Sequence, residues 1–130
     1  FLDAKVPEDG MSMMEGQPIP PEHKVIDGKV HFSWIDTNAP FPRDVTHPVK
    51  TLTEPVSYNN PLAKKLNVTY VAFIPEGVSK ADRAKDPAWS RAKKRHWTIR
   101  TFDGDHVVYR TKPAEFSAML EETVKDNNSI

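Results

Sequence analysis

The chain predicts an α+β fold, and three observations carry that expectation. Nine of its twelve prolines (Pro7, Pro18, Pro20, Pro21, Pro40, Pro42, Pro48, Pro55 and Pro61) fall in the first 61 residues, so the N-terminal half reads as extended, proline-rich segments. Residues 66–74, LNVTYVAFI, form a nearly unbroken run of β-branched, aromatic and other apolar residues. From Pro113 onward the apolar spacing changes to that of a helix. The expected architecture is a small antiparallel sheet of two hairpins plus a central strand. A short middle helix and a C-terminal amphipathic helix pack it.

Residues 1–23 carry no period of 2.0 or 3.6 and hold a PIPP run at 18–21, which predicts an extended arm. Met11, Met13 and Met14 give that arm an apolar patch able to fold back or to dock on a partner. Residues 24–130 are expected to form one domain. Within it, 24–35 (KVIDGKVHFSWI) reads as a hairpin, because Asp27-Gly28 tolerates positive φ and β-formers flank it. Residues 36–62 form a long loop with five prolines, in which short edge strands at 45–50 and 51–57 remain open.

The strand at 66–74 ends at Pro75-Glu76-Gly77. Ser79 is placed to cap a short helix reaching Lys85, and Asp86-Pro87 supplies an N-cap and an N1 proline for a second, to about Arg95. Residues 96–111 read as a second hairpin whose bulged loop is Phe102-Asp103-Gly104. That register turns Trp97, Ile99, Val107 and Tyr109 inward and His96, Arg100, His106, Val108 and Arg110 outward. The closing helix, Pro113 to about Asp126, carries its stripe on Phe116, Met119, Leu120, Thr123 and Val124. Trp34, Trp89 and Trp97 read as core or half-core anchors, with Trp89 alternatively an exposed contact.

Function is constrained mostly by exclusion. The chain has no cysteine, which removes disulfides, thiolate metal sites and a cysteine nucleophile. No Walker or G-x-G-x-x-G pattern is present, no serine sits in G-x-S-x-G, and His23, His31 and His47 lack a ligand spacing. No cofactor and no metal are therefore expected. The Asp103-Gly104-Asp105 run reads as a turn rather than a calcium loop. Asn67-Val68-Thr69 and Asn127-Asn128-Ser129 fit the glycosylation triplet, a pattern short enough to arise by chance. The longest apolar run, Tyr70 to Ile74, predicts no membrane insertion. Phe1 in place of Met suits a soluble protein processed after export or organelle import, or the start of an excised piece.

Charge is the strongest positive signal. Residues 91–112 hold seven Lys or Arg against Asp103 and Asp105, a net +5 in a chain of net zero. The candidate binding residues are Lys93, Lys94, Arg95, His96, Arg100, His106 and Arg110. Arginine forks suit phosphate oxygens, and histidine exchanges protons near neutral pH. Three functions fit these residue types. The first is a non-catalytic binding or accessory subunit that contacts another protein through its proline-rich segments and the basic hairpin. The second is a small metal-independent nuclease, with His96 and His106 as acid and base and Arg100 or Arg110 on the phosphate. The third is a nucleic-acid-binding module that uses the same basic face. An ordinary solvated face would look the same in sequence.

Overall fold

The first hairpin forms as its turn chemistry demands. In the structure, a computed structural model that describes residues 1–128, β1 (Lys24–Ile26) and β2 (Lys29–His31) pair antiparallel with Val25 opposite Val30. Asp27 (φ 49°) and Gly28 (φ 69°) both occupy positive φ, as a two-residue primed turn requires. A two-residue β3 (His47–Pro48) joins the other edge of β2, with Val30 opposite His47. Proline is tolerated there because β3 is an edge strand. Residues 50–53, at the junction of the two stretches left open for edge strands (45–50 and 51–57), instead form the one-turn helix α1 (Lys50–Thr53).

Residues 7–59 make up one of two compact units. Its methionine-bearing start folds back within it rather than standing out as an arm. Gly10 N donates to Val56 O (2.9 Å), Val56 N to Met11 O (3.0 Å) and Met14 N to Leu52 O (3.1 Å). Of these 53 residues only Ser12 and Val30 are buried.

The other unit comprises residues 1–6 and 60–130. A 3-10 turn at Ala63–Lys65 leads to β4 (Thr69–Ile74), whose first five residues are all buried. Both faces of this strand are covered, which accounts for its unbroken apolar sequence. The chain then crosses over through α2 (Lys80–Arg83) and α3 (Pro87–Lys94) to β5 (Thr98–Asp103). β5 pairs parallel to β4, Thr69 opposite Thr98 through Ile74 opposite Asp103. Both predicted caps form: Ser79 Oγ accepts from Asp82 N at 3.0 Å, and Asp86 Oδ1 accepts from Ala88 N at 2.7 Å. On the far edge of β4, residues 1–3 run parallel to it, with Asp3 N donating to Val71 O and Val71 N to Phe1 O, each 2.8 Å.

The class is α+β as expected, but the second hairpin does not form. After β5 the chain turns at Asp105, whose carboxylate accepts from Val107 N (3.0 Å), and enters α4 (Val108–Thr111) and then α5 (Pro113–Asn128). The physical reason lies in Val108. It is 1% exposed and packs with Val71, Phe73 and Met119, against which Phe102, Phe116 and Leu120 also rest. A hairpin would have placed Val108 outside. Instead β5 completes the ladder along β4, and Val107 and Tyr109, expected inside, are exposed. Trp97 is buried as expected and Ile99 is half-buried.

Gly104 serves close approach here. A Cβ built on it would lie 2.1 Å from Val108 Cγ2.

The α5 stripe holds at Met119 and Thr123, which are buried, while Val124 at its edge is exposed. Asn67 and Thr69, of the first glycosylation triplet, bond to the α5 end: Asn67 Nδ2 to Asn127 O (3.2 Å) and Thr69 Oγ1 to Asn127 Oδ1 (3.0 Å). Ser129 of the second triplet lies outside the described residues. No described helix is long and apolar enough to cross a membrane.

Candidate functional site

The seven basic candidates do not share one face, because the hairpin that would have gathered them is replaced by a parallel strand and a helix. Lys93 and Lys94 are exposed in the last turn of α3. Arg95 follows at the helix end and lies over the Trp97 ring, 5.2 Å from its centroid. His96 adopts left-handed backbone (φ 58°) and its N–H donates to Lys93 O at 3.0 Å. It therefore occupies the position at which helices commonly close with glycine.

Arg100, half-way along β5, is held by α5. Its guanidinium pairs with Glu122 at 3.3 Å and with Asp126. It is a strand-to-helix clamp. Arg110 is exposed on α4.

His106 lies beyond the other end of β5 from His96. Six strand residues at about 3.3 Å each place the two residues at opposite ends of a strand roughly 20 Å long. A phosphodiester needs acid and base within one or two hydrogen bonds of the same phosphorus, so the nuclease pair is not assembled.

His106 instead takes part in a cluster that the sequence did not announce. Its Nδ1 lies 2.8 Å from Asp3 Oδ2. Asp3 Oδ1 accepts from Arg83 Nη2 (2.6 Å) and from Phe73 N (3.1 Å). Arg83 also donates to Tyr70 Oη (3.1 Å) and to Phe73 O (3.0 Å), and pairs with Asp86 at 3.1 Å. Burial opposes the Arg83 charge, but its bonds to Asp3 and Tyr70 outweigh that and hold it above its ordinary range. Burial pushes the Tyr70 phenol up, against the pull of Arg83.

The cluster stands where residues 1–3 and β4 end, and a cavity of about 550 Å³ beside it is lined by Asp3, Val78, Arg83, Lys85 and Asp86. A second cavity of about 570 Å³ opens beyond β4 and β5, with Glu76, Asp103, Asp105 and Lys112 on its walls. Carboxyl ends of parallel strands are common ligand sites. Here, however, all three Arg83 nitrogens are engaged by the protein itself. The arrangement ties residues 1–3 to the crossover and leaves no Arg83 nitrogen open to an anionic ligand. Asp3, placed by sequence in an arm, gave no signal of this role.

A different cluster, also missed, occupies the proline-rich unit. The Phe32 and Trp34 rings stack with centroids 4.5 Å apart and planes 10° apart. His23 meets both edge-on at 5.1 Å, and His47 meets Phe32 at 5.8 Å. The expected core anchor Trp34 is therefore 62% exposed. Phe41, 76% exposed, carries the Arg43 guanidinium 4.7 Å from its ring centre. β2 brings Phe32 and Trp34 within reach of β3, which carries His47, so the sheet and not sequence spacing builds this surface. No protein-family model, curated protein or solved structure compared with the chain matches it.

Proposed function

We propose that the chain is a non-catalytic binding subunit of a larger protein assembly, contacting its partner through the proline-rich unit of residues 7–59. The observation that carries this is the poverty of that unit's core. Val30 is its one fully buried apolar side chain, while Trp34, Phe41 and Val45 are each more than 60% exposed. Extended segments of this composition gain order by lying across a neighbour. Aromatic side chains left open in a cluster are the residue types that anchor protein interfaces. The basic residues at the end of α3 are a candidate second contact, without the hairpin geometry first expected of them.

The test is affinity capture from the native source with the full chain and with its Trp34→Ala, Phe41→Ala variant. A protein recovered in stoichiometric amount by the natural chain and lost with the variant supports this function. Equal recovery by both, with the variant folded by circular dichroism, counts against it.

A further inference from the structure

We infer that the Asp27-Gly28 turn is a site of covalent self-modification, at which the main chain converts to isoaspartate without an enzyme. This goes beyond the binding-subunit function proposed above and does not depend on it.

The chain holds three Asp-Gly steps: Asp9-Gly10, Asp27-Gly28 and Asp103-Gly104. All three share the same intrinsic chemistry, because glycine puts no Cβ in the way of ring closure onto the preceding side chain. The fold separates them. Gly10 N donates to Val56 O (2.9 Å), and Asp9 Oδ1 accepts from Tyr58 N (2.5 Å). Gly104 N donates to Ile74 O (2.9 Å), Asp103 O accepts from Lys112 Nζ (3.0 Å), and Val108 packs onto Gly104. At the tip of the first hairpin Asp27 and Gly28 are both exposed. Among the described residues, the Asp27 carboxylate, the Asp27 carbonyl and the Gly28 N–H all lack a hydrogen-bond partner. A Cβ built on Gly28 would meet nothing within 4 Å, so the surroundings leave room for a ring. The peptide unit between the two residues is therefore free to turn its nitrogen toward the Asp27 side chain, at a loop tip that opens more readily than a strand.

The conversion needs no reactant but water. Gly28 N bonds to Asp27 Cγ, the Cγ–OH bond breaks, and the hydroxyl leaves with the amide proton as water. Water then reopens the five-membered imide. Opening at Cγ restores aspartate. Opening at the Asp27 main-chain carbonyl leaves the chain running through Cγ and frees an α-carboxylate, with no net change in mass or charge. The product has one more main-chain carbon in the turn that sets Val25 opposite Val30 and whose Gly28 O accepts from Val49 N (2.8 Å).

Ageing the full chain in warm, mildly acidic buffer, where carboxyl groups are partly un-ionised, tests this. The peptide bearing Asp27 should yield a second species of equal mass that an isoaspartyl methyltransferase methylates, and a transient species lighter by one water. These should accumulate about tenfold or more faster than at Asp9 or Asp103, since two hydrogen bonds hold each of those steps. In denaturant the three sites should convert at comparable rates. The isolated isomerised chain should exchange its amides faster at residues 24–31 and 47–49, with residues 69–74 unchanged.

Conversion at Asp9 or Asp103 as fast as at Asp27 overturns the inference. So does an Asp27 that stays intact in the folded chain while it converts in denaturant, or a preference for Asp27 that persists undiminished in denaturant. Unchanged exchange at residues 24–31 in the isomerised chain overturns the effect assigned to the hairpin.

Discussion

The two units solve the same problem, ordering a chain, with very different means. Around β4, five consecutive residues are buried and the cluster of Val71, Phe73, Val108 and Met119 is closed by three further apolar side chains. Residues 7–59 are ordered by a primed turn, a short three-stranded sheet and backbone bonds between residues 10–14 and 52–56, around a single buried valine. Hydrogen bonds made near water contribute about 1 kcal/mol each, whereas a buried large apolar side chain contributes roughly 1.5–3 kcal/mol. The first unit should therefore set the stability of the chain, and the second should be its locally unfolding part.

The comparison can be broken at several points. Phe73→Ala empties the centre of the larger core and should cost about 3–5 kcal/mol in denaturant melts. A loss under about 1 kcal/mol would mean that the buried cluster is not what holds the fold. Gly104→Ala forces a Cβ onto Val108 and should cost about 2–4 kcal/mol; a neutral outcome would show that α4 shifts freely.

Asp3→Ala removes a carboxylate that is 15% exposed and leaves Arg83, 14% exposed, without its main partner. It should cost about 2 kcal/mol and speed amide exchange at residues 1–3, since its carboxylate adds to the backbone bonds that hold them along β4. Unchanged exchange there would assign the fastening to the backbone ladder alone.

Tyr70 sharpens the comparison through pH. Its folded pKa is raised above the ordinary 10.0, so the folded state binds the phenolic proton more tightly than the unfolded chain does. Its contribution is complete below pH 10 and declines as pH climbs through 10 toward the folded value. Tyr70→Phe should lose about 1 kcal/mol at neutral pH and flatten that alkaline decline. An unchanged alkaline slope would exclude Tyr70 as its source.

The smallest effect belongs to the proline-rich unit. Trp34→Ala should change the stability of the isolated chain by less than about 0.5 kcal/mol, because the ring is mostly in water. A loss above about 1.5 kcal/mol would make Trp34 a core residue of its unit and weaken its assignment to a partner surface.

What the sequence determined by itself is local. Asp27-Gly28 specified its turn, Ser79 and Asp86-Pro87 started their helices, the run ending at Ile74 made a buried strand, and Met119 and Thr123 faced inward from α5. Each of these follows from side-chain chemistry acting within a few residues. Two things were decided only by tertiary structure. One is the partner of β5. Residues 98–103 suit a hairpin and a parallel ladder equally well in local terms, and the burial of Val108 against Val71 and Met119 chose the ladder. That choice dispersed the basic candidates, drawing Arg100 onto α5 and sending His106 to Asp3, 103 positions away. The other is the aromatic surface. His23, Phe32, Trp34 and His47 come together because β2 pairs with both of its neighbours. Pairing between separated segments depends on which contacts close the core, a property of the whole chain that no short stretch of sequence carries.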